Sequence, residues 1–135
     1  RAAAFFGQNR GIDVPPHSQG TVTGECPLPG RGELLAALGH YHLHGTAFRG
    51  WLSRATGGQQ PIYEGKGASE LGWVTFEGLG FGPSDRLGWS CDFDNDMPGP
   101  LLFGSHEATE EHCNLFAFVA LTDGDAEPTT CVLGE

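Results

Sequence analysis

The stretch Glu33-Leu34-Leu35-Ala36-Ala37-Leu38-Gly39-His40-Tyr41-His42-Leu43-His44-Gly45 decides the fold, because its first half admits two readings. Leucine and alanine at 34–38 would suit a helical turn. The six residues Glu33 to Leu38, however, run straight into histidines at every second position, and a period of two belongs to a strand. Glu33 to Leu38 is therefore read as strand entry, and the histidine run as its continuation. Alternate side chains on a strand share a face, with Cα atoms roughly 6.6 Å apart, so two of these imidazoles can grip one metal ion. The plain alternative is a strand with a polar outer face. The far end of the chain favours the metal, because His106 and His112 bracket an acidic run that stops at Cys113, and a third ligand is available there.

Working outward, the same texture repeats. Twenty-two glycines and nine prolines punctuate 135 residues, and strand-length apolar runs lie between them. No amphipathic pattern is long enough for a large helix. Strands are expected at Ala2 to Phe6, Thr21 to Cys26, Thr46 to Ser53, Gln60 to Tyr63, Leu71 to Phe76, Leu87 to Phe93, Cys113 to Leu121 and Thr129 to Leu133. With the histidine strand these make about nine, the count of an antiparallel β-sandwich. A chain of this length with 39% apolar residues fits one domain spanning 1–135 that buries a real core. It opens on Arg1, as expected of a processed or excised segment. A net charge of −10 argues against nucleic acid or an anionic membrane as partner, since both need a basic patch. No stretch is long and apolar enough to cross a membrane.

Cys26, Cys91, Cys113 and Cys131 lack the C-x-x-C spacing of a structural zinc site, so two disulfides and an extracytoplasmic compartment are expected. The sequence leaves three pairings open. Alternation places Trp89, Cys91 and Phe93 on one inward face. It also places Cys113 with Leu115, Ala117, Val119 and Leu121, so that His112 points away from the core. A core disulfide at Cys113 would then fix the segment that aims His112 outward.

Cys26, Gly39-His40-Tyr41-His42, Asp85 to Cys91, Glu110-Glu111-His112-Cys113-Asn114-Leu115-Phe116 and Cys131, taken in order, resemble the second catalytic domain of the copper type II, ascorbate-dependent monooxygenases. That family includes peptidylglycine α-hydroxylating monooxygenase and dopamine β-monooxygenase. The resemblance runs from about Phe5 to Cys131. It implies a nine-stranded, jelly-roll-like sandwich, the pairings Cys26–Cys131 and Cys91–Cys113, and one copper held by His40, His42 and the residue at 112. It also implies O₂ or a small molecule as the reacting partner, with electrons from an external reductant or a redox partner domain, because the family's partner domain, which carries the electron-delivering copper, is absent.

Three departures accompany it. The family's methionine ligand is His112 here, giving an all-nitrogen set in which zinc could substitute for copper. The arginine and tyrosine that hold a substrate carboxylate are Leu38 and Phe116, and of that group Asn114 remains, so a peptide ending in glycine is not the expected substrate. The partner domain is the third. His44, His106, Asn114 and Met97 are the candidates to back or supplement the ligands. His17 is expected at the surface, and Trp51, Trp73 and Trp89 in the core. Asp92 to Asp96 opens like a calcium loop but has Met97 where glycine is required and Phe103 where glutamate is required. Two functions are consistent with this pattern: a copper oxidoreductase domain, and a non-catalytic module that stores or delivers copper. A zinc hydrolase would need Glu110 or Glu111 as general base.

Overall fold

The structure, a computed structural model, describes residues 2–122 and 127–135. Thirteen strands occur among them: β1 (Ala2–Asn9), β2 (Asp13–Val14), β3 (Ser18–Pro27), β4 (Gly32–His40), β5 (Gly45–Ser53), β6 (Gln59–Lys66), β7 (Val74–Thr75), β8 (Gly80–Phe81), β9 (Arg86–Asn95), β10 (Leu101–Phe103), β11 (Glu110–Glu111), β12 (Asn114–Leu121) and β13 (Thr129–Leu133). A single 3₁₀ turn, Ala68–Glu70, is the sole helical element described. The expected count of nine was too low because β2, β8, β10 and β11 have two or three residues each, too few to show a period. The expected strand Leu71 to Phe76 shrinks to Val74–Thr75.

One sheet runs β13-β1-β12-β4-β7, with β8 also on β4; a second runs β3-β9-β5-β6; a short third runs β11-β10-β2. Most pairs are antiparallel. β13 on β1 and β11 on β10 are parallel, so the first and third sheets are mixed, while the second is purely antiparallel. Between the two larger sheets lies a core of Phe5, Leu34, Phe48, Leu52, Leu87, Trp89, Phe93, Leu115 and Val119, all essentially buried.

The ambiguous stretch is β4, and its helix-like look has a structural cause. The register with β12 slips between Phe118 and Val119, so Leu34 faces Val119 while Ala36 faces Phe118, and Leu35 is the extra residue of a bulge. Inward residues therefore fall at Leu34, then Ala37 and Gly39, a spacing of three that imitates a helix. On β12 the expected parity holds, with Cys113, Leu115, Ala117 and Val119 buried and Leu121 at the margin.

Both disulfides form, Cys26–Cys131 joining β3 to β13 and Cys91–Cys113 joining β9 to the residue before β12. Of the tryptophans, Trp89 alone is core. Trp73 is half exposed and stacks on Phe118 across the outer face of the first sheet. Trp51 is partly exposed, its Nε1–H donating to Glu25 at 2.7 Å. Asp92 to Asn95 continue β9 rather than form a calcium loop. Among the described residues no helix is long and apolar enough to cross a membrane.

Candidate metal centre

His40 is the last residue of β4, and its Cα partner on β12 is Asn114, whose own partner on β1 is Gln8. The chain leaves the strand at Tyr41, so His42 lies beyond the strand end. This corrects the expectation that one regular strand carries both ligands. What keeps His40 and His42 on the same side is the residue between them: Tyr41 turns inward, 4% exposed, with its ring against Phe48 and Phe93 and its hydroxyl donating to the Gly67 carbonyl. Burial raises the Tyr41 hydroxyl to about 12, so it stays a donor. The flanking glycines make room for these rings. A Cβ at Gly45 would sit 2.3 Å from the Tyr41 ring, and one at Gly39 would sit 2.6 Å from Phe48.

The loop after His42 is held from within by Glu111, a carboxylate with no exposed surface. The backbone N–H of His42 donates to its Oε1 at 2.5 Å, that of His44 to its Oε2 at 2.7 Å, and that of His112 to Oε1 at 3.3 Å. Two segments 67 residues or more apart are thus pinned to one side chain. Desolvation pushes the Glu111 carboxyl above its ordinary range, and the three N–H donors oppose that rise. The neighbouring Glu110 contributes its backbone: the His42 Nδ1 lies 2.8 Å from the Glu110 carbonyl, which can only accept, so Nδ1 carries the proton and Nε2 keeps its lone pair for a ligand.

His112 follows β11 and is fixed on its other side by the Cys113 disulfide, whose carbonyl accepts from Trp89 Nε1 and from Asn9 N. Its ring stacks on Phe103, 5.3 Å between centroids and tilted by 29°. The three imidazoles converge, with centroids 5.4 Å apart for His40 and His42, 5.6 Å for His40 and His112, and 4.3 Å for His42 and His112. One nitrogen from each lies within 4.8 Å of the others, a group able to hold a metal ion. Nitrogens bound at about 2.0–2.1 Å stand no more than about 4.2 Å apart, so small ring rotations complete the site. Burial, then the charge of His42, holds both His40 and His112 below the usual imidazole pKa, which keeps them neutral and ready to coordinate.

The other candidates are placed as follows. His44 stands outside the cluster, its Nε2 donating to the Ala108 carbonyl at 2.9 Å and its Nδ1 lying 3.8 Å from Asp96. It ties the histidine loop to the 106–110 turn. His106 is exposed and serves that turn through its backbone, its N–H donating to Glu110 Oε1 and its carbonyl accepting from Thr109 and Glu110. Met97 packs against the hydrophobic core, its N–H held by Asn95 Oδ1. His17 is exposed, as expected. Asn114, beside His40, is 4% exposed, and its Oδ1 is buried without a hydrogen-bond partner. Glu111 was read in the sequence only as a general base that nothing positioned. Its signal was parity: two residues before inward-facing Cys113, it shares the buried side. Comparison of the sequence with protein-family models and with curated proteins finds no match.

Proposed function

We propose that this is an extracytoplasmic mononuclear copper domain of the type II monooxygenase kind, acting as an oxidoreductase that takes its electrons from an external donor. The observation that carries the reading is the convergence of His40, His42 and His112 on one point, with no fourth His, Cys, Asp or Glu grouped with them among the described residues. Three imidazoles suit copper and also zinc. Bound copper would supply one-electron redox chemistry and an open position for O₂ or another small molecule.

The chain's own groups do the positioning. Glu111 fixes both segments, so the ligands stand in place without paying ordering entropy at the moment of binding. The Glu110 carbonyl sets the His42 tautomer. Leu38, Phe116 and Phe6 form the next row on the same face as His40, with Phe6 and Phe116 5.0 Å apart, so the surface beside the site is apolar where a carboxylate clamp would be polar. This supports a substrate other than a peptide ending in glycine. A zinc hydrolase fits poorly, because both Glu111 oxygens are engaged by backbone N–H groups and Glu110 Oε1 is engaged by His106.

The test is metal analysis of the protein as purified, an electron paramagnetic resonance spectrum of its Cu(II) form, and O₂ uptake with ascorbate. One copper with nitrogen hyperfine structure and ascorbate-dependent O₂ consumption supports the reading. Copper bound without any consumption supports a carrier module, and a lack of copper binding rejects both.

A further inference from the structure

The second sheet turns two neighbouring rows of side chains outward, alternating with the buried Val22, Leu52, Trp89 and Cys91. Thr23, Ser90, Arg49 and Glu64 are successive Cα partners across β3, β9, β5 and β6. The next outward row, in the same strand order, is Glu25, Gly88, Trp51 and Pro61. One row offers hydroxyls, a guanidinium and a carboxylate, and the other an indole and a proline ring. Thr23, Ser90, Arg49, Glu64, Trp51 and Pro61 line an open cavity of about 510 Å³ that shares no residue with the metal centre. That volume lies within the range of small-molecule sites, about 300–1,000 Å³.

The indole is held as a platform. Trp51 lies over Gly88, where a Cβ would come within 2.4 Å of the ring, and its Nε1–H reaches across β9 to Glu25 on β3 at 2.7 Å. A side chain that spans the neighbouring strand lies along the sheet, so one side of the ring rests on backbone and the other looks out. Beside it, Ser90 faces outward yet is 4% exposed, because it sits at the floor of the cavity between Thr23 and Arg49. Among the described residues, the side-chain hydrogen bonds of this face run from Thr21 and Arg49 to Asp92 and from Trp51 and Ser53 to Glu25, which leaves the hydroxyls of Thr23 and Ser90 to the cavity. The charges at its edge are matched already. Arg49 is held by both Asp92 oxygens at 3.2 and 3.0 Å, and Glu25 faces Arg86.

We propose that this cleft binds a neutral saccharide chain, one pyranose ring stacking on Trp51 while its hydroxyls bond to Ser90, Thr23 and Glu64. A pyranose with equatorial hydroxyls presents C–H groups on its faces and polar groups around its rim. It therefore matches an aromatic plate set beside a row of hydrogen-bonding groups. A row across four strands is about 14 Å long, longer than one sugar ring, so a short chain fits better than a single unit. Charged ligands suit the cleft less, since Arg49 is already paired and a net charge of −10 repels polyanions such as nucleic acid. A polyproline segment would use Trp51 and Pro61 but leave the hydroxyl row idle. None of this rests on the copper reading, and a chain without copper would keep the cleft.

The test is a titration of the protein as purified with cellohexaose, any bound copper being kept reduced, followed through indole and backbone N–H signals in nuclear magnetic resonance. The indole N–H of Trp51 and the amides of Thr23, Ser90 and Arg49 should shift to saturation, while the amides of His40, His42 and His112 stay in place. Trp51→Ala should weaken binding by about tenfold, the worth of a lost aromatic contact. Ser90→Ala should weaken it by about two- to tenfold, as for one neutral hydrogen bond. Trp51→Phe, which keeps a ring but loses the tether to Glu25, should fall between the parent protein and Trp51→Ala. Signals of the cleft that do not move with cellohexaose, or an affinity unchanged in Trp51→Ala, overturn the proposal. A proline-rich peptide that moves those signals when cellohexaose does not assigns the cleft to a protein partner and overturns it too. If Trp51→Ala does not fold, unchanged affinity in both Trp51→Phe and Ser90→Ala is the overturning result.

Discussion

The two disulfides differ in what surrounds them. Cys26–Cys131 spans 105 residues and ties two strands whose neighbours are largely apolar. Cys91–Cys113 spans 22 residues and sits among buried polar groups, with His42, Glu111 and Asn114 all buried around Cys113. The first bridge holds the fold, and the second helps hold a geometry. Buried polarity is costly unless it is satisfied, and at Glu111 it is satisfied by N–H groups that belong to the ligand segments themselves.

The comparison breaks most visibly under cysteine replacement. Removing Cys26–Cys131 should cost about 4–5 kcal/mol and removing Cys91–Cys113 about 3 kcal/mol, following the loop lengths, as read by denaturant unfolding. Metal affinity should show the reverse order, falling more for Cys91→Ala/Cys113→Ala. Equal losses of affinity in the two variants would mean that the short bridge has no special hold on His112.

Glu111→Gln comes next. It keeps the shape but replaces one acceptor oxygen by an NH₂ that faces backbone donors, so it should lower stability by about 1–3 kcal/mol and weaken metal binding as well. Glu110→Gln, whose ring-orienting contact is a backbone carbonyl, should leave metal affinity near that of the parent protein. If both variants bind metal equally well, Glu111 is not what organises the loop.

A smaller effect is expected with pH. His40 and His112 are held below the ordinary imidazole pKa of about 6.5, by burial first. In the metal-free protein the unfolded chain therefore takes up protons first as pH falls, and the stability these two residues contribute above about 6.5 is lost as pH drops through their lower folded values. Metal affinity should accordingly stay level from about pH 8 to 7 and decline only below about 6.5. A decline that begins between pH 8 and 7 would show that the ligands carry protons where burial says they should not.

Much of this was legible in the residues. Alternation gave the strand reading of Glu33 to Leu38, the inward face of Cys113 to Val119 and the shared side of His40 and His42. The bulge at Leu35 was not legible, because one extra residue reproduces helical spacing. Nor was the loop at His42, where an inward tyrosine and two glycines, not a regular pleat, keep the histidines together. Glu111 was hidden in an acidic run that reads as solvated surface, and Phe103 carries no local pattern pointing to His112. Such contacts depend on which strands become neighbours, and sequence periodicity does not contain that information.

The central claim is that three histidines, and no others, hold one metal. Copper titration of the protein beside His112→Ala and His44→Ala tests it directly. The account predicts one copper for the parent and for His44→Ala, and loose binding for His112→Ala, where two imidazoles remain. Unchanged affinity in His112→Ala together with lost binding in His44→Ala would contradict it.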